Sequence, residues 1–166
     1  TYSLDVIFVD VPETSYSLSG DKINESGWYS GDVTITPVEG FKISYSNDLT
    51  ENTWEDKLVV SDEGYNEKTI YLKSDEGISD AIVIPGNDIR IDKSTPKNLK
   101  ISYSTSVIDT IFKIGSFGFY NASAVVTIEA YDEFSNIASF DYTYGDINGH
   151  IDSKNITYSS DKKTAT

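Results

Sequence analysis

Gly27-Trp28-Tyr29-Ser30 precedes Asp32-Val33-Thr34-Ile35-Thr36, and 91 residues later Gly118-Phe119-Tyr120-Asn121 precedes Val125-Val126-Thr127-Ile128-Glu129, with two extra residues between. A Gly-aromatic-Tyr turn feeding a β-branched alternation, met twice at domain-sized spacing, predicts two copies of one architecture. Trp28 then matches Phe119, each as a core or turn anchor of its own copy. Side chains alternate between the faces of a strand, so Val33, Ile35, Val126 and Ile128 are expected to point inward and Thr34 and Thr127 outward.

Outward from this repeat, period-two patterning continues. Lys57-Leu58-Val59-Val60, Thr69-Ile70-Tyr71-Leu72 and Ala81-Ile82-Val83-Ile84 are short β-branched runs bounded by Gly, Pro, Asn, Asp or Ser. Leu99 to Ser104, Val125 to Ala130 and Ala138 to Tyr144 follow, at the roughly 8–15-residue spacing of a sandwich of antiparallel strands. The apolar residues of Val107 to Ile114 fit a helical turn as well as a strand, and this stretch reads as a short helical or irregular crossover. Between the copies, Ile91-Asp92-Lys93-Ser94-Thr95-Pro96 reads as a short, stiff connector, because Pro96 removes a ladder donor and disfavours helix before it.

The connector, the Gly118-Phe119-Tyr120-Asn121 turn, and Val126-Thr127-Ile128-Glu129-Ala130 with Asp132 and Ser135 resemble bacterial Ig-like repeats, the tandem modules of large Firmicutes cell-surface proteins. The resemblance covers the chain from about Tyr16 onward. It implies an all-β chain of two tandem immunoglobulin-like antiparallel β-sandwiches, residues 14–93 and 94–166. The second offers fewer strands than a full module, and residues 1–13 resemble the closing strand of a preceding one, or else a strand that completes something here. It also implies an extracellular setting, on the surface or attached to the wall of a Gram-positive bacterium. The role it implies is that of a stalk, spacer or adhesin repeat whose partners are neighbouring modules of its own chain. Some wall-anchored relatives carry Lys–Asn isopeptide staples, but no Lys–Asn pair stands out here.

Composition bounds the function. Acidic residues outnumber basic ones 27 to 13, a formal charge of −14, and Arg90 is the single arginine. Such a balance argues against nucleic acid and anionic membrane as partners, since both are bound through clustered Lys and Arg. No apolar run approaches the ~20 residues that a membrane-spanning helix needs. With no cysteine and one histidine, the chain has little to offer metal-dependent or Cys–His chemistry, and neither catalysis nor a cofactor is expected.

His150 lies in a stretch of turn formers, Gly145 to His150, and is expected in an exposed loop. Asp146, Asn148 and Asp152 have the spacing of calcium-loop oxygens. A glycine at the fourth position and Thr157 at the twelfth depart from the pattern such loops need, so a solvated hairpin turn is expected. Asn24-Glu25-Ser26, Asn121-Ala122-Ser123 and Asn155-Ile156-Thr157 fit the glycosylation sequon and are expected as turn asparagines. For binding, Trp54 is the candidate. It lies in the polar stretch Leu49 to Asp56 and has no counterpart in the second copy. Its ring either plugs the end of a sandwich or stacks on a sugar. The alternative to a spacer is accordingly a carbohydrate- or host-protein-binding module, such as an accessory to a secreted glycosidase.

Overall fold

A computed structural model describes residues 7–23, 26–49, 53–105, 124–144 and 146–166. The described chain is built of antiparallel strands, and its one helical element is a 3-10 turn, Ser153–Asn155. It divides into two compact units, Thr1–Lys93 and Ser94–Thr166.

In unit 1, β1 (Tyr16–Ser19), β2 (Val33–Pro37) and β4 (Leu58–Val60) form one antiparallel sheet with β2 at its centre. β3 (Lys42–Ser44), β6 (Lys68–Lys73) and β7 (Ile82–Ile84) form a second, centred on β6. Period two decides what each strand buries. Val33 and Ile35 of β2 are fully enclosed while Thr36 is exposed, and Ile70 and Leu72 of β6 are enclosed while Thr69 is exposed. Val60, Ile43 and Ile84 join them, so both sheets contribute to one core, the arrangement of a β-sandwich. A short ladder of β5 (Gly64–Tyr65) with β8 (Arg90–Ile91) adds Ile91 to that core.

The Gly27-Trp28-Tyr29 turn closes this unit. Gly27 holds φ at +79°, a left-handed conformation costly for any residue with a Cβ. Trp28 and Tyr29 are buried, as the turn-anchor reading of Trp28 expects. Tyr29 donates its N–H to the Arg90 carbonyl and accepts from the Asp92 N–H, which joins the turn to β8. The Trp28 ring meets Tyr65 edge-on at 5.2 Å and lies under the Arg90 guanidinium at 5.6 Å. Phe119, its proposed equivalent, lies outside the described residues, as does Val107 to Ile114.

Ile7, Phe8 and Val9 pair with the loop at Ile78 in this unit. Phe8 bridges Ile78 in parallel, Val9 N–H donates to the Ile78 carbonyl and Ile78 N–H donates to the Ile7 carbonyl. Val11 packs on the core. Gly77 permits the approach, since a Cβ there would sit 2.1 Å from the Ile7 carbonyl oxygen. At the other end, Lys93 is tied down by three bonds. Its N–H donates to Glu63 Oε1 at 2.7 Å, and its ammonium reaches Asp32 Oδ1 and the Ser61 carbonyl, both at 2.6 Å. The Lys93 bond holds the Asp32 carboxyl below its ordinary pKa.

Unit 2 contains β9 (Lys97–Thr105), β10 (Ala124–Tyr131) and β13 (Thr164–Ala165) in the order β13-β10-β9, and a hairpin of β11 (Ser139–Tyr144) with β12 (Ile147–Asp152). An extra residue on β9 shifts the β9–β10 register near Asn98, whose φ is +56°. The buried core is small: Ala130, Ile137, Ile156 and Ala165, with Phe140, Ile151 and Tyr158 packed against it. Here one expectation fails. Val126 is 56% exposed, and Ile128 is half-buried rather than enclosed. Alternation does put Val126, Ile128 and Ala130 on one face, with Ile101 opposite Ile128. The core covers only the Ala130 end, and Ile101 is itself 57% exposed.

Asp132 organises the turn after β10. Its carboxylate is buried, and one oxygen accepts the N–H groups of Phe134 at 3.0 Å, Ser135 at 2.9 Å and Asn136 at 3.2 Å. Asn136 takes a φ of +68° to complete the loop.

Candidate functional site

The site around Trp54 follows from the register of β3. Lys42 of β3 stands directly opposite Lys73 of β6, and Glu55 bridges Ile43 on the other side of β3 through two main-chain bonds of 2.9 Å. Ile43 points into the core, so its neighbour Lys42 lies on the outer face of the sheet together with Lys73. Asp56, one residue past Glu55, makes an ion pair with Lys42. Trp54 lies two residues before Asp56, and the ammonium of Lys73 stands 5.6 Å from the centroid of its ring. The indole N–H donates to the Asp48 carbonyl at 3.3 Å, which fixes the ring's orientation.

The result is a shallow cleft of about 550 Å³ whose walls include Phe41, Lys42, Trp54, Asp56, Lys73 and Asp75. Trp54 is half-buried and does not belong to the core cluster of unit 1, so its ring lines the cleft rather than filling the sandwich interior. Like charges directly opposite on paired strands disfavour pairing. Here each lysine has a separate compensation, Lys42 in Asp56 and Lys73 in the π-face of Trp54.

His150 lies elsewhere than expected. It is exposed but on strand β12, opposite Asp141 of β11, not in a loop. Cross-strand pairing from Ser139–Asp152 to Tyr144–Ile147 draws the apparent turn formers Asn148 and Gly149 into the ladder. His150 Nδ1 is 2.6 Å from Asp141 Oδ1, and Nε2 is 3.1 Å from Asp152 Oδ1. Both ring nitrogens face carboxylates, so the doubly protonated imidazolium is the form that satisfies both. The hydrogen bond that His150 donates to Asp141 is the main cause that raises the His150 pKa above its ordinary value; the charges of Asp141 and Asp152 add to it.

A raised folded-state pKa makes a stabilising contribution that is fully present below the ordinary histidine value and lost as pH rises through the folded-state value. The expected result is a single-histidine NMR titration whose midpoint lies above the ordinary value and falls back toward it in Asp141→Asn. Identical midpoints in the two proteins would contradict the pairing.

Of the calcium-spaced oxygens, Asn148 and Asp152 stand four residues apart on the extended strand β12, about 13 Å along it, too far to share one ion. Asn148 Oδ1 accepts from the Thr143 hydroxyl at 2.8 Å, and Asp152 faces His150 and Lys154. Among the described residues no group of three or more His, Cys, Asp or Glu side chains is arranged to hold a metal ion. Of the sequon asparagines, Asn155 lies in the 3-10 turn, and Asn24 and Asn121 fall outside the described residues. No described helix is long and apolar enough to cross a membrane.

No family model, no curated protein and no solved structure matches the chain. The likeness to bacterial Ig-like repeats therefore rests on the residues quoted for it.

Proposed function

We propose that the chain is a non-catalytic pair of immunoglobulin-like modules that acts as a spacer or adhesive segment of an extracellular bacterial surface protein. The observation that carries this reading is the partition of strands in unit 1. In an immunoglobulin-like sandwich, strands A, B and E share one sheet and C, F and G the other. The separate sheets β1-β2-β4 and β3-β6-β7 are consistent with that division, without a counterpart of D among the described residues. The three bonds on Lys93 add support, because they anchor the chain where unit 1 ends, as suits a linker under tension. The acidic surface suits solubility in an exposed setting.

A spacer of two modules has a mechanical signature. Pulling the intact chain from its two ends should give two separate unfolding events. At about 3.3–3.6 Å per extended residue, the 93 residues of unit 1 release a contour of about 310–330 Å and the 73 of unit 2 about 240–260 Å, less their folded lengths. A single event spanning the whole chain, or featureless extension, would count against the reading. A second reading, that the first module also binds a ligand, is favoured by one observation: Trp54 lines an open cleft instead of the core.

A further inference from the structure

We propose that the cleft over Trp54 binds a neutral sugar unit within a polysaccharide chain. The inference is independent of the modular reading, since a spacer with or without this site would unfold in the same two steps.

Three features point to that chemistry. The Trp54 ring is oriented by its bond to the Asp48 carbonyl yet is not consumed by the core, which makes it a preset platform. A pyranose presents a face of C–H groups that packs on an indole, and its rim carries hydroxyls that both donate and accept. The cleft meets both needs. Lys42, already paired with Asp56, and Lys73, which stands over one face of the Trp54 ring, keep further ammonium donors for hydroxyls, and Asp56 and Asp75 supply carboxylate acceptors, which leaves the other face of the ring for the sugar.

The register holds Lys42 and Lys73 opposite one another on the outer face, where Asp56 and the Trp54 ring compensate them. Two lysines and two aspartates cancel in formal charge, so the cleft itself offers no net attraction to an ion. Around it the chain carries −14, which repels an anionic glycan. An uncharged polyol is the class left. The cleft's volume of about 550 Å³ lies in the range of small-molecule sites, and its openness to solvent suits an internal unit of a chain that enters and leaves along the surface.

Affinity electrophoresis of the intact chain through gels containing a neutral β-glucan, xylan, mannan or galactan tests this, with polygalacturonate as the anionic comparison. Retardation is expected on at least one neutral polymer and not on polygalacturonate. Trp54→Ala should weaken it about 30-fold, as loss of a central aromatic contact does, and Trp54→Phe should restore part of it. Lys73→Ala, an outer-face change, should weaken it about 10-fold and provides the reading should Trp54→Ala fail to fold. Retardation by no neutral polymer, retardation by polygalacturonate alone, or retardation unchanged in folded Trp54→Ala and Lys73→Ala would each overturn the proposal.

Discussion

Replacing Ile35 with alanine is expected to destabilise unit 1 by about 3 kcal/mol, enough to lower its melting temperature by roughly 12 °C or more for a unit of this size. Ile35 is fully enclosed at the centre of the β1-β2-β4 sheet, directly opposite Leu18 on one side and Leu58 on the other. Truncation removes three carbons from a close-packed site. The cavity left behind adds to the lost transfer energy, because neighbouring strands fix the walls. Thr34, one residue away, points to the opposite face and is only half-buried, so Thr34→Ala should cost under about 1 kcal/mol. The check is a thermal melt of wild type and both variants. Equal shifts for the two substitutions would contradict the register of β2.

The second large effect belongs to unit 2. Asp132→Ala is expected to cost about 2–3 kcal/mol, because it leaves three main-chain N–H groups of a partly buried turn without their shared acceptor. Asp132→Asn keeps an oxygen of the same shape and should cost substantially less. Urea unfolding of the two variants separates these outcomes. A loss in the asparagine variant equal to that in the alanine variant would show that the charge, and not the acceptor geometry, holds the turn.

Much of the strand content was legible because burial in short strands follows local alternation. Val33 and Ile35 read as an inward-facing pair and are enclosed. The same rule failed at Val126 for a physical reason: alternation determines which face a residue joins, whereas burial depends on what packs over that face. His150 read as a loop residue since Asn148 and Gly149 favour turns, but the flanking Phe140, Tyr142 and Ile151 favour a ladder, and the ladder prevailed.

Trp54 stood out as a lone aromatic in a polar stretch. Its neighbours in the cleft could not be seen beforehand, because Lys73 and Lys42 are 31 positions apart and meet only through the β3–β6 register. The parallel bridge of Phe8 with Ile78 was equally hidden, since no local pattern encodes a partner that lies 70 positions away.

The account turns on how β3 leaves the sheet of β2. Cross-strand main-chain NOEs measured on the intact, isotopically labelled chain test that directly. The account predicts contacts of Ile35 with Leu18 and Leu58, and of Ile43 with Leu72, in two separate sheets. A continuous antiparallel ladder of NOEs between β2 and β3, which would make them a hairpin in one sheet, would contradict the proposed immunoglobulin-like partition.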